Sequence, residues 1–173
     1  MRKTLIIALT SLLLVSGCAK KKEKDGVTDA QLSIYETYYN TIYDNAVFSP
    51  DSSHFSLETE MTALPDGTYR YYVVIDHPKV AMYNVTALVI EDHTAYDEAD
   101  KMMPSIGIFD DSVSLIPYQV NTEEGFAKGI SLSGESSEKT ISLQILVEWR
   151  DSTGTKRSRE FIAKDLEAEE KEN

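Results

Sequence analysis

The stretch Ile141-Ser142-Leu143-Gln144-Ile145-Leu146-Val147-Glu148-Trp149 puts an apolar side chain at every odd position. A side-chain period of two belongs to a strand with one face in a core, and nowhere else in the chain is the alternation cleaner. Downstream, Asp151-Ser152-Thr153-Gly154 has the composition of a turn and leads into a second strand over 157–163. Upstream, the same period recurs: Phe55, Leu57, Thr59, Met61 and Ala63 face one way, with His54, Ser56, Glu58, Glu60 and Thr62 opposite. Leu64-Pro65-Asp66-Gly67 then turns into a strand over 69–75, rich in aromatic and β-branched residues, which Asp76-His77-Pro78 stops. Residues 82–90 are nearly continuous in apolar side chains, as in a strand covered on both faces. Shorter strands fit 105–109, 113–116 and 127–132. About eight strands with turn signals every ten residues or so predict a mainly β chain, an antiparallel sandwich of immunoglobulin-like or fibronectin-like type. No helices alternate with the strands, which disfavours a parallel α/β sheet.

One amphipathic α-helix precedes the strands. Thr28 followed three residues later by Gln31 is a capping-box pattern. From there Leu32, Tyr35, Tyr39, Ile42, Tyr43 and, one turn on, Ala46 recur at helical spacing. The spacing predicts a helix over 28–46 packed on the sandwich, with the sandwich domain over 52–164. Residues 165–173 are dominated by acids and read as a solvated tail.

Composition narrows the function. The formal charge of −12 argues against nucleic acid as a partner. The single cysteine, Cys18, leaves no disulfide framework, so the fold depends on its apolar core. The chain is long enough for one core and too short for two comfortable domains.

The first eighteen residues set the address. Arg2 and Lys3 precede an apolar run over 5–15, which Ser16-Gly17-Cys18 closes with small residues. A cationic start, a short apolar run and a small-residue cleavage site have the order of a secretory signal, and the run is shorter than a membrane span. With cysteine just past the cleavage point, the segment resembles the lipobox of bacterial lipoproteins. The resemblance implies a signal peptide over 1–17 cut between Gly17 and Cys18, and diacylation of Cys18. It places the mature chain at the extracytoplasmic face of the cell membrane, held there by lipid. Loss of Arg2 and Lys3 with the signal makes the mature chain two charges more negative. Residues 18–27 then read as the lipidated cysteine and a charged tether.

Catalytic signatures are missing. His54, His77 and His93 lie far apart, with no second histidine at metal-ligand spacing. Gly129-Ile130-Ser131-Leu132-Ser133-Gly134 sits in a strand pattern and lacks the strand–turn–helix setting of a nucleophile elbow. No catalytic residue and no cofactor is assigned, and the chain is not expected to be an enzyme. Asp76, Asp110 and Asp111 are the candidates for a calcium site, since turns at one end of an up-and-down sandwich bring oxygen ligands together. Solvated turn acids are the plainer reading. Met102-Met103 after the acidic loop offers either an adaptable binding surface or a buried plug. Arg70 and Tyr72 mark either a surface patch or a second packed face. Tyr35, Tyr39, Tyr69, Tyr71 and Tyr72 serve either as core or as a sugar-stacking platform, and Trp149 reads as core.

These observations lead to an expectation of a membrane-anchored, non-enzymatic module, monomeric in its soluble part, that binds an envelope or surface protein. A carbohydrate- or cell-wall-binding module is the alternative, and an extracellular hydrolase a third, which would need a cleft holding a shifted carboxylate pair.

Overall fold

The computed structural model describes residues 26–169. Helix α1 (Asp29–Tyr43) is followed by strands β1 (Ser56–Ala63), β2 (Tyr69–Asp76), β3 (Met82–Glu91), β4 (Ser105–Ile106), β5 (Val113–Leu115), β6 (Gly129–Ser136), β7 (Thr140–Arg150) and β8 (Arg157–Glu167). They form two sheets, one of order β1-β2-β6 and one of order β4-β3-β7-β8 with β5 also paired to β3. Every pairing between these strands is antiparallel. The mainly β chain with one preceding helix is therefore the observed class.

The two sheets enclose one core. Phe55, Met61, Tyr71, Val73, Ile75, Ile130 and Leu132 from the smaller sheet meet Val85, Ala87, Val89, Ile162 and the odd residues of β7 from Ile141 to Trp149. Trp149 is buried, edge-on to Phe55 at 6.0 Å between ring centroids.

A second apolar cluster lies on the outer face of the larger sheet. There Tyr35, Tyr39 and Ile42 of α1 pack on Leu88, Ile90 and Leu146. The near-continuous apolar run of β3 follows from this: its residues serve two cores in alternation. A bulge adjusts the phase. Asn84 stands at φ 49°, and the pairing with β5 and β7 shifts register beside it. Met82 and Val85 consequently both face the inner core, after which odd residues point in and Leu88 and Ile90 point out beneath the helix.

The Thr28 capping box is present in both directions, with Gln31 N–H donating to Thr28 Oγ1 and Thr28 N–H to Gln31 Oε1. The helix stops at Tyr43, with Asp44 as C-cap, so Ala46 lies beyond it and is exposed. Leu32 is also exposed at 38 %, and Tyr43 is half-buried, stacked on His93. The buried stripe is thus narrower than its periodicity predicts.

The expected strand over 105–109 ends at Ile106, because Gly107 turns the chain at φ 76°, its N–H held by Asp110 Oδ1 at 3.0 Å. The strand expected over 127–132 instead runs Gly129–Ser136. The acidic C-terminal stretch also needs correction. β8 continues to Glu167, Leu166 and Ala168 are buried in the inner core, and Glu169 bridges to Thr62. Apolar side chains at alternate positions among the acids carry the strand on, so the sandwich reaches residue 169 and not 164.

Candidate functional site

The strand register gives the sandwich two distinct ends. Tyr69 pairs with Ser136 at one end and Asp76 with Gly129 at the other. The Tyr69 end is acidic. Its open cavity of about 450 Å³ is lined by Glu91, Asp92, Glu98, Asp100, Glu135 and Glu138, with Lys101 among them. Glu91 is buried where β3 ends; Tyr71 Oη donates to its Oε1 at 2.7 Å, and Lys101 Nζ lies 2.8 Å from Oε2. Lys101 Nζ also donates to the Glu135 carbonyl, tying the 92–104 connection to β6. Gly134 leaves the space the Tyr71 hydroxyl fills, since a Cβ there would overlap its oxygen. Burial, then the adjacent Glu91 carboxylate, hold the Tyr71 phenol protonated far above its ordinary range. At neutral pH Tyr71 is a structural donor, not a base or nucleophile.

The Asp76 end is of opposite character. A cleft of about 620 Å³ opens between the β2–β3 turn and the β5–β6 connection, lined by His77, Pro78, Lys79, Ile116, Pro117, Tyr118, Gln119, Val120 and Lys128. It contains no carboxylate. Tyr118 is fully exposed at 106 % and Val120 at 63 %. Tyr118 sits at φ 62°, a left-handed conformation that a bulky side chain rarely adopts. The surrounding connection holds it there. Ser114 N–H donates to the Gly125 carbonyl (2.8 Å), Asn121 and Phe126 exchange backbone bonds (2.9 and 2.8 Å), and Gln119 N–H reaches Ile116 C=O (3.1 Å). Across the cleft, Lys79 N–H is fixed to the His54 carbonyl at 2.7 Å. Both walls are thus backbone-braced, with apolar side chains left in solvent between them.

The residues singled out from sequence are dispersed. Asp76 and His77 adjoin this cleft, with His77 Nδ1 2.7 Å from Asp76 Oδ1, while Asp110 caps Gly107. Asp76, Asp110 and Asp111 do not form a metal site: among the described residues no group of three or more His, Cys, Asp or Glu is placed to hold an ion. The histidines are separate, His54 against Glu160 and His93 against Tyr43 and Gln144. Tyr35, Tyr39 and Tyr71 are buried and Tyr69 and Tyr72 half-buried, so no open tyrosine platform exists among them. Met103 is the buried plug and Met102 stays exposed. Arg70 pairs with Glu135 on the surface. Gly17 and Cys18 lie outside the described residues.

Two features escape the sequence pattern. Glu148 occupies a polar, even position of β7 yet is buried; Tyr38 Oη donates to it at 2.7 Å, and Arg157 and Arg159 flank it. Only the helix laid over that face explains this. Tyr118 lies in a connection with no periodicity, and Pro117 before it is the one local cue to a fixed turn. No protein-family model matches the chain and no curated protein sequence is detectably similar to it.

Proposed function

We propose that the protein is a lipid-anchored, non-enzymatic binding module at the extracytoplasmic face of the cell membrane that recognises another envelope or surface protein. The observation that carries the reading is the Tyr118–Val120 cleft. Apolar side chains grouped in solvent beside a cavity mark interaction sites, and Tyr is favoured at interface centres. A braced loop binds with less ordering cost than a mobile one. The strand orders fit an immunoglobulin-like topology, with β1-β2-β6 opposing β3-β7-β8 as A-B-E opposes C-F-G. Such sandwiches carry their variable connections at the two ends, where this cleft lies.

The anchor rests on the sequence ending at Cys18. Two acyl chains give stable attachment where one is marginal. Cys18→Ser is expected to move the protein from the membrane to the soluble fraction and to prevent cleavage before residue 18. Continued sedimentation with membranes and unchanged processing would refute the anchor.

The binding reading is tested by placing a photoreactive amino acid at position 118 of the full chain in its own cells. One discrete cross-linked species, lost with Val120→Asp, is the expected result; no adduct on irradiation removes the reading. The carbohydrate-binding alternative is weakened, because the tyrosines it invoked, Tyr35, Tyr39, Tyr69, Tyr71 and Tyr72, are wholly or half buried.

A further inference from the structure

The cleft beside Tyr118 has a chemical bias that names the class of its occupant, an inference resting on the binding-module reading above. In a chain with 29 acids against 17 lysines and arginines, the lining holds Lys79 and Lys128 and no acid, while its His77 is already held by Asp76 behind it (2.7 Å). Several cations elsewhere among the described residues are committed. Arg70 pairs with Glu135, Lys101 with Glu91, Arg157 and Arg159 with Glu148, and Lys164 with Asp51. Lys79 and Lys128 form no ion pair and no side-chain hydrogen bond in the described chain. The same lining includes Pro78, Pro117 and the exposed Val120, together with the buried Ile116.

We propose that this cleft binds an extended segment of a partner protein in which carboxylates flank an apolar side chain. The apolar side chain enters against Ile116 and Val120, Tyr118 closes over it, and the carboxylates meet Lys79 and Lys128. Range decides between this occupant and larger anionic ones. Charges are screened beyond about 8 Å at physiological ionic strength, so a short segment in the cleft feels the two ammonium groups and little of the net negative charge. A second copy of the chain, or an anionic bilayer, presents a broad negative surface to a molecule of formal charge −12 and is repelled.

The test uses the full chain in detergent and three fluorescent probes: a short peptide alternating Asp or Glu with Phe and Leu, the same peptide with Lys for each acid, and glycerophosphoglycerol, the water-soluble headgroup of phosphatidylglycerol. The acidic peptide is expected to bind, to weaken as salt is added, and to lose affinity by about tenfold or more in Lys79→Gln/Lys128→Gln. Tyr118→Ser is expected to weaken binding without changing that salt dependence. An unchanged melting curve in each variant shows that the cleft and not the fold was altered. Equal binding of the basic peptide, preference for the headgroup probe, or indifference to the lysine substitutions overturns the proposal. If the position-118 cross-link in cells persists alongside any of those results, the partner class is wrong and the binding-module reading stands. If the cross-link is also absent, both fall.

Discussion

Four tyrosines direct their hydroxyls into the molecule. Tyr71 donates to Glu91 (2.7 Å), Tyr38 to Glu148 (2.7 Å) and Tyr39 to the Thr94 carbonyl (3.0 Å), while Tyr35 Oη accepts from Met103 N–H (2.7 Å). Burial raises the phenol of each above its ordinary value, and Tyr39 is pushed up to about 12. Above pH 10 the unfolded chain surrenders these protons while the native protein retains them, so stability is fully present below pH 10 and falls as pH rises through the native values. Each tyrosine still protonated only in the fold contributes a slope of up to about 1.4 kcal/mol per pH unit. Urea midpoints measured on either side of pH 10 should therefore drop steeply on the alkaline side. Tyr71→Phe and Tyr39→Phe should each flatten that drop. A midpoint flat through this range would show that the phenols are not held from water.

Helix α1 is the element whose removal has the clearest consequence. Without it Leu88, Ile90 and Leu146 face solvent. Burial of Tyr35, Tyr39 and Ile42 alone contributes on the order of 5 kcal/mol, as large as the whole stability of many domains. Deleting residues 27–46 from the full chain should lower the melting temperature sharply or cause aggregation. Equal stability would mean that the helix is a free arm. The helix start, the strand sequence and the inner face of β7 were readable because each obeys a one-sided pattern: a cap, a turn residue, an alternation. What involves two layers was not. Tyr38 falls off the helical stripe because its target is a buried carboxylate, and Glu148 looks like a solvent position until a helix covers it. The acids of 165–169 masked Leu166 and Ala168, whose burial depends on β7 beside them. The cleft was invisible because it joins residues 77–79 to 116–120 and 128, which only the sheet register brings together.

As a whole the molecule has three layers, α1 on the larger sheet and the smaller sheet beneath, and it is electrically uneven along its strands. The acid-lined end and the acid-free cleft lie at opposite limits of β2, so the cleft can attract a carboxylate-bearing segment despite the chain's net charge. The layering has a mechanical side. Adjacent strands are joined by ladders of backbone bonds, whereas α1 is fastened to its sheet by side chains. Tension applied between the N-terminal side and the sandwich therefore loads the weakest seam first, peeling the helix before any ladder breaks. Its 15 residues would lengthen from about 20 Å as a helix to about 50 Å when extended. Single-molecule pulling should record a low-force extension of about 30 Å or more before the sandwich ruptures, absent when 27–46 is deleted. Rupture in one event would show that α1 is as firmly held as a strand. A domain built this way carries its own compliant leash: it gives ground under a pull while the β-sandwich, and the cleft at its end, keep their shape.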